Sequence, residues 1–323
     1  MRVSFFLVLF MLASAGSFAQ QKYFEGVQTY SVTVGSKILA LDDNFVRKLL
    51  ATGEVVTIYV KDGNYRHSSS LSDTWYRQKE KRVFYKFKHL DTLYYQDYSD
   101  DTSKVTDVLK DDAITRMNDM DCKSLTIKTA NATLQFYYAP SLRNNPDYDR
   151  NNTIGHFDVY TRETGGAIWL KQHDEFSFGW ITETCSKVEP KTVDTAVFAL
   201  PDLPQRKFGS TQLSSLPRFP GKEGAWAKYL GANLDPDKKL TFKYVKLPKG
   251  DSVASQQVMV RFTVLADGQL TNIQVVNKDE VHPKLAEEAM RVIRESPRWI
   301  PCMVYGEKVA YPTQQPVTFK VMR

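Results

Sequence analysis

The sequence predicts an α+β protein in which a long series of strands precedes a small unit of strand, strand, helix and strand. Segments of alternating apolar and polar residues recur from Tyr23 onward, which is the pattern of half-buried strands. Only three segments have helical features. A stretch with Pro, Gly and Ser but no periodicity, 202–216, separates the two parts and predicts a linker. At 323 residues the chain is long enough for two cores.

The N-terminal segment 1–19 has the features of a cleavable signal peptide. Arg2 provides a short positive region, 5–13 is apolar, and 17–19 offers small residues at the cleavage positions. We therefore expect cleavage after Ala19 and an exported, periplasmic protein. The alternative is an uncleaved membrane anchor, but the apolar run is shorter than the roughly 20 residues that a spanning helix needs.

The composition excludes several classes of function. Hydrophobic residues make up 42% and charged residues 25%, as in folded proteins rather than disordered ones. The net charge of +6 is dispersed over the part that follows Pro217, which predicts a solvated surface and no nucleic-acid partner. The sequence contains no GxSxG, HExxH or Walker-type motif, so we expect no catalytic residues, no enzyme activity and no cofactor.

The chain has three cysteines, and one pair of them suggests a disulfide. Cys122 and Cys185 lie in the same half of the chain, whereas Cys302 lies in the other half. Export permits a Cys122–Cys185 bridge, and the alternative is two separate buried thiols. Neither the cysteines nor the five histidines have the spacing of a metal site, so none is predicted.

The first domain, 20–201, reads as strands around one early helix. The helix is predicted at 39–50, where acidic residues stand near its start and Gly53 follows its end. Segments 100–112 and 140–152 lack periodicity and predict an irregular connection and an exposed loop. The strands are predicted at 23–34, 55–60, 64–68, 74–78, 82–88, 92–97, 123–128, 133–138, 156–161, 167–172 and 176–188.

This domain resembles the half-barrels of outer-membrane-lipoprotein carriers. The resemblance is carried by FEGVQTY at 24–30, IYVKDGNYR at 58–66, DCKSLTIK at 121–128, FYYAPSLRNNP at 136–146 and VFALP at 197–201. It implies a curved sheet that shelters an apolar or lipid ligand against a helix. The alternative is that the aromatic residues simply pack a core. The residues that would line the cavity are Phe45, Leu49, Phe84, Phe87, Tyr94 and Phe136.

The second domain, 217–323, centres on a hairpin at 258–276 whose Asp-Gly turn is a strong hairpin signal. A helix is predicted at 283–295, because its proline stands in the first turn and its apolar residues share one face. A strand follows at Trp299. Further elements are predicted as a helix at 223–230 and strands at 241–247 and 316–322.

This domain resembles the TonB C-terminal domain of the Bacteroidetes type. The matching motifs occur in family order: PRFPG at 217–221, YLGAN at 229–233, VRFTVLADGQLTNIQVV at 260–276, HPKLAEEAMRVI at 282–293, SPRWIP at 296–301, YGEKV at 305–309 and QPVTFKV at 315–321. In this resemblance, Trp299 anchors the helix against the sheet.

The resemblance implies that the domain binds a protein partner, of the outer-membrane transporter type, by strand addition to its last strand. The alternatives are a plain structural edge or an edge covered by a second copy in a homodimer. The sequence departs from an energy-transducing TonB protein, because it has a cleavable signal and a folded domain in place of a membrane helix and a proline-rich spacer. The implied binding residues are Pro316, Val317, Thr318, Phe319, Lys320 and Val321.

Three functions follow from these patterns. The leading hypothesis is an exported, non-enzymatic binding protein whose TonB-like domain docks a protein partner. The second is a periplasmic carrier or chaperone for lipid or lipoprotein, which uses the half-barrel. The third is a membrane-anchored energy transducer, which requires that segment 1–19 stays uncleaved.

Overall fold

The computed structural model describes residues 23–38, 41–209 and 213–322. The described residues form one large, mainly antiparallel sheet with flanking helices, followed by a smaller region of two short sheets and three helices. The predicted α+β fold class is confirmed. The predicted signal peptide, 1–19, lies outside the described residues. The elements of the first region are β1 (Gly26–Ser36), α1 (Asp43–Leu49), β2 (Val55–Lys61), β3 (Asn64–Ser68), β4 (Ser72–Arg77), β5 (Arg82–Phe87), β6 (Leu93–Asp97), β7 (Val105–Met117), β8 (Met120–Thr129), β9 (Ala132–Arg143), α2 (Phe157–Thr164), β10 (Ala167–Phe176) and β11 (Gly179–Pro190).

The large sheet has twelve strands, in the order β12-β6-β5-β4-β3-β2-β1-β11-β10-β9-β8-β7, where β12 is Gln205–Lys207. The first strand therefore lies in the middle, between β2 and β11, because the chain returns to it after the second series of strands. Alternate residues of β1, such as Tyr30, Val32 and Val34, are buried, and they define the core face of the sheet.

The predictions for segments 156–161 and 100–112 are wrong. Segment 156–161 was predicted as a strand but belongs to α2, where Tyr160 and Thr164 are buried on one side of the helix. Such a short apolar run fits the period of a strand and that of a helix, and the left-handed backbone of Gly155 and His156 precedes a helix here. Segment 100–112 was predicted as irregular, but β7 begins at Val105. This strand pairs only with β8 and is largely exposed, so its sequence has no apolar alternation.

The prediction that 140–152 is an exposed loop is wrong, because several of its polar side chains are buried. Its first residues continue β9 to Arg143, and the side chains of Asn144, Asp149 and Asn152 are buried. The Asn152 amide donates to Asp149 Oδ1 at 3.0 Å, and the Tyr65 hydroxyl donates to Asp149 Oδ2 at 3.2 Å. Because these groups form hydrogen bonds with one another, a polar segment packs inside the fold.

The second region consists of three helices and two small sheets. Its elements are β13 (Ser214–Ser215), α3 (Ala225–Asn233), α4 (Lys239–Tyr244), β14 (Val253–Val264), β15 (Leu270–Val275), α5 (Pro283–Arg294), β16 (Cys302–Val304), β17 (Glu307–Val309) and β18 (Tyr311–Met322). The helices pack against a three-stranded sheet of order β15-β14-β18, and the second sheet has the order β13-β16-β17. The core joins β14 and β18 to one face of α5, through residues such as Phe262, Leu285 and Phe319.

The predicted strand 241–247 is wrong, because Lys239–Tyr244 forms α4. The Asp235 carboxylate accepts hydrogen bonds from the backbone N–H groups of Leu240, at 3.2 Å, and Thr241, at 2.6 Å. A carboxylate that accepts from the first N–H groups of a helix satisfies donors that otherwise lack partners. This local contact stabilises a helix, whereas the alternation of residues alone predicts a strand.

Trp299 lies in the core of the second region, between its helices and its sheet. The ring contacts Phe262 of β14 at 5.1 Å and Trp226 of α3 at 5.6 Å between centroids. Its indole nitrogen donates to Ser296 Oγ at 3.1 Å. The backbone N–H of Trp299 also donates to the carbonyl of Gly268, which has a positive φ in the hairpin turn. One residue thus fixes the segment after α5 to β14 and to the turn of the hairpin.

The two regions contact each other through the β16–β17 hairpin. Tyr305, at its turn, stacks on Phe87 of the large sheet with centroids 4.0 Å apart. The Lys48 ammonium of α1 pairs with Glu307. The predicted linker 202–216 is structured at both ends, because β12 pairs with β6 and β13 pairs with β16.

Candidate functional site

The predicted docking edge is the outer strand of a three-stranded sheet. β18 pairs with β14 on one side and has no strand on its other side among the residues that the structure describes. Val317, Phe319 and Val321 are buried against α5, whereas Thr318 and Lys320 are exposed. The predicted residues Pro316 to Val321 therefore lie together on an edge strand whose one face is anchored in the core.

The hydrogen bonds of β14 show which backbone groups of β18 point outward. Met259 donates to Asn277 Oδ1 at 2.9 Å, and its carbonyl accepts from the N–H of Val276 at 2.8 Å, so both of its backbone groups face β15. Pro316 lies opposite Met259 and so belongs to a pair without mutual hydrogen bonds. The backbone groups of Pro316, Thr318 and Lys320 consequently point to the free edge.

The six residues predicted to line one apolar cavity do not come together, so that prediction is wrong. Phe45 and Leu49 pack against the C-terminal hairpin, near Cys302 and Val304. The other four belong to three further clusters: Phe84 with Trp75 and Leu93, Phe87 and Tyr94 with Ala51, and Phe136 within the main core. The alternative, that these side chains pack cores, is what the structure contains. Their apolar character cannot reveal which face of the sheet each residue occupies.

A different cavity lies on the core face of the large sheet. It has a volume of about 140 Å³ and is enclosed by the end of α1 and strands β2, β3, β4 and β11. Its wall includes the carboxyl group of Glu183, the imidazole of His67 and several hydroxyl groups, those of Thr52, Ser69, Ser72 and Thr74 among them. The cavity is therefore mainly polar, unlike the apolar cavity that the sequence predicts.

Two carboxyl groups on this face have strongly perturbed pKa values. Glu183 lies opposite Val32, and Asp174 lies opposite Ile181, so the two are diagonal neighbours on adjacent strands. Burial raises the pKa of Glu183 to about 7. Burial and the charge of Glu183 raise the pKa of Asp174 to about 8, although a hydrogen bond from Gln172 acts in the opposite direction.

His67 separates this polar cavity from an aromatic wall. Its ring lies 5.0 Å from that of Tyr76 and 6.5 Å from that of Trp169. The same aromatic wall includes Tyr65 and Phe157. Burial lowers the pKa of His67 to about 4, so the imidazole is neutral at physiological pH. The Trp169 indole N–H is buried and lacks a hydrogen-bond partner in the part of the chain described.

The sequence contained one signal for Glu183. In the strand that ends the first domain, Ile181, Glu183 and Cys185 share the inward period, so a carboxyl group falls between two apolar residues. A charge at an inward position is uncommon unless it is paired or functional. His67 and Asp174 carried no comparable signal, because their strands are mixed in polarity.

The structure has Cys122, Cys185 and Cys302 as buried free thiols, which is the alternative to the predicted Cys122–Cys185 bridge. Within residues 23–38, 41–209 and 213–322, no cluster of three or more metal-ligating side chains occurs. In the same ranges, no helix combines the length and apolar character that crossing a membrane requires.

Comparison with solved structures gives distant similarities. PNGF-II aligns at 7% identity over 76% of this chain and 45% of that chain, with a TM-score of 0.36, so the chain spans under half of its length. LprF from Mycobacterium bovis aligns at 7% identity over 53% of this chain and 88% of that chain, with a TM-score of 0.23. No curated protein matches the chain.

Comparison with protein families gives one match, and it falls on the predicted docking edge and the core that supports it. The matched residues, 255–321, begin within β14 and end within β18, so they include the hairpin, α5 and Trp299. The resemblance predicted from the sequence motifs is confirmed there. The C-terminal part of this chain, over residues 255–321, matches the family described as Gram-negative bacterial TonB protein C-terminal.

Proposed function

We propose that this protein is an exported, non-enzymatic binding protein whose C-terminal region docks an extended segment of a protein partner. The partner segment adds to β18 as a fourth strand and receives hydrogen bonds from the outward backbone groups of Thr318 and Lys320. The observation that carries the proposal is the free edge of β18 within a region that matches the TonB C-terminal family. Strand addition uses backbone groups for affinity.

The prolines of β18 limit where the partner can bind. Pro312 and Pro316 both occupy outward positions, where they lack the N–H group that a partner strand needs. Gln314 is therefore an isolated outward donor between the two prolines, whereas Thr318, Lys320 and Met322 provide three successive outward donors beyond them. The partner is expected to pair with the C-terminal half of the strand, while the first half is protected from unspecific pairing.

A backbone substitution tests this geometry. Thr318→Pro removes one outward N–H group and leaves the pairing with β14 intact, as at Pro316. A photo-crosslinker at Lys320 in intact cells is expected to trap an outer-membrane transporter in the parent protein, and the Thr318→Pro variant is expected to lose this product. Thr318→Val is the matched control, because it keeps the N–H group and should retain the product.

A crosslinker at Gln274 tests whether the product belongs to the β18 edge. Gln274 is exposed on β15, the opposite outer strand of the same sheet. It should yield no transporter product. Recovery of only self-crosslinked dimer from Lys320 would overturn docking and favour the homodimer.

Export with cleavage after Ala19 places this docking region in the periplasm without an anchor. Sequencing the N-terminus of the native protein tests the point. A start at Gln20 supports an exported docking protein, whereas an intact Met1 supports the membrane-anchored energy transducer.

A second candidate function is that of a carrier which uses the large sheet. The cavity of about 140 Å³ on the core face supports ligand binding there, but it is mainly polar and small for an acyl chain, and the six apolar residues first expected to form a lipid cavity lie in separate clusters. Native mass spectrometry of the gently purified protein should reveal a stoichiometric ligand. A lipid mass would support the lipid or lipoprotein carrier, and an unliganded mass would count against it.

A further inference from the structure

The carboxyl group of Glu183 lies in the wall of the cavity without a protein partner. Glu183 is half-buried, and neither a hydrogen bond nor an ion pair reaches its carboxyl group from the described part of the chain. Other carboxylates of the sheet have partners: Asp73 accepts from Ser68 at 2.6 Å and pairs with Arg66 at 3.1 Å. A half-buried carboxylate loses part of its hydration, so an unpaired one that faces a cavity indicates a ligand that supplies the missing charge or donor.

The surroundings of Glu183 define the chemistry of that ligand. The cavity wall contains no lysine or arginine. Asp174, the diagonal neighbour of Glu183, has its Oδ1 atom buried without a hydrogen-bond partner among the described residues, and its raised pKa of about 8 leaves it largely neutral near pH 7. An ionised Glu183 carboxylate in a wall without a cation produces a negative potential, which attracts a positive ligand and repels an anion.

The remaining wall suits the organic part of a cation. Leu50, Ala51, Val56 and Ile181 provide apolar surface, and hydroxyl groups provide polar contacts. The aromatic rings of Tyr76 and Trp169 lie beyond His67, and aromatic faces attract ammonium groups. A volume of about 140 Å³ accommodates a small molecule of a few heavy atoms rather than an acyl chain.

We propose that the cavity between α1 and β11 binds a small organic ammonium ion, whose charge is held by the Glu183 carboxylate. The site is independent of the docking edge on β18, so either proposal can fail without the other. It gives the first region a ligand of a class different from the lipid expected by resemblance.

The proposal predicts how binding depends on pH. Glu183 must be ionised to hold a cation, and its pKa is raised to about 7. The other titratable groups that face it are Tyr30 on β1, His67 on β3, Tyr76 on β4 and Asp174 on β10. The two tyrosines and His67 are neutral between pH 6 and 9, since burial raises the pKa of each tyrosine and lowers that of His67. Affinity for a cation should therefore increase as the pH rises through 7.

Calorimetry on the full chain with n-butylammonium chloride tests the site. Saturable binding is expected at pH 8 and weaker binding at pH 6. The Glu183→Gln variant should lose about 10- to 100-fold in affinity, as expected when a charged hydrogen bond is removed. Glu175→Gln is the matched control, because Glu175 carries the same charge at an exposed position of the adjacent strand β10 and should leave affinity unchanged.

Two further ligands separate charge from shape. Neutral 1-butanol has nearly the same size and should bind far more weakly, and the butyrate anion should not bind. Equal binding of butanol and butylammonium would overturn the proposal, as would an unchanged affinity in the Glu183→Gln variant. Absence of binding heat for butylammonium at pH 8, in a protein whose Glu183→Gln variant melts at the same temperature or higher, would also overturn it.

Discussion

Asp235 of the C-terminal region and the pair Glu183 and Asp174 of the large sheet behave in opposite ways. In the C-terminal region, Asp235 accepts hydrogen bonds from Leu240 and Thr241; burial alone would raise its pKa, but these bonds hold it below its usual value. In the large sheet, Glu183 and Asp174 are buried with few partners or none, and their pKa values rise to about 7 and about 8. The same type of group is structural in one region and unsatisfied in the other.

This difference indicates where each region keeps its binding capacity. The described part of the C-terminal region has no buried side-chain polar atom without a hydrogen-bond partner, and it presents the free backbone edge of β18. The large sheet closes both of its sides with short or exposed strands, β12 and β7, and leaves unsatisfied side chains inside. A protein partner matches the first arrangement and a small charged ligand matches the second.

The largest effect on stability is expected at Trp299, in the core of the C-terminal region. We expect Trp299→Ala to lower the free energy of unfolding of the C-terminal region by about 3–5 kcal/mol, because a buried ring surrounded by other aromatic rings leaves a cavity. Urea unfolding measures the change. Phe242→Ala is the control, since this residue is 66% exposed and should change stability little. Equal stability of the two variants would contradict the assigned position of Trp299.

The next largest effect is the pH dependence of stability that Glu183 and Asp174 cause. Because the pKa values of Glu183 and Asp174 are raised, their contribution to stability is present below their usual values near 4 and is lost as the pH rises through 7 and 8. The protein should lose on the order of 2 kcal/mol between pH 6 and 9.

Thermal unfolding at several pH values measures this slope. The double variant Glu183→Gln, Asp174→Asn should flatten it, and its stability at pH 9 should equal or exceed that of the parent. A parent whose stability is constant over this range would remove the contrast between the two regions.

The smallest effect is expected at Asp235, whose carboxylate has its hydrogen-bond partners. Asp235→Ala removes the acceptor at the start of α4 and should cost about 1–2 kcal/mol, as the loss of a helix cap does. Asp237→Ala is the matched control, since this neighbouring carboxylate is exposed and pairs only with Lys239. If both substitutions have the same small effect, Asp235 is not the group that holds α4.

The elements predicted correctly from the sequence are those whose residues repeat with a clear period or that contain a specific turn. The hairpin with its Asp-Gly turn, the amphipathic helix α5 and the alternation of β18 all occur where expected. Segments with weak or ambiguous periods failed, as at α2, α4 and β7. Local hydrogen bonds and position at a sheet edge, rather than hydrophobicity, decide those elements.

The sequence by itself therefore determined the α+β class, the family of the C-terminal residues 255–321 and the strand that forms the free edge. These follow from local periodicity and motif order. Only the tertiary structure decided which side chains share a cavity. Glu183, His67 and Asp174 come from strands far apart in the chain, and they meet because β1 lies between β2 and β11 in the sheet. That long-range pairing leaves no trace in any single segment.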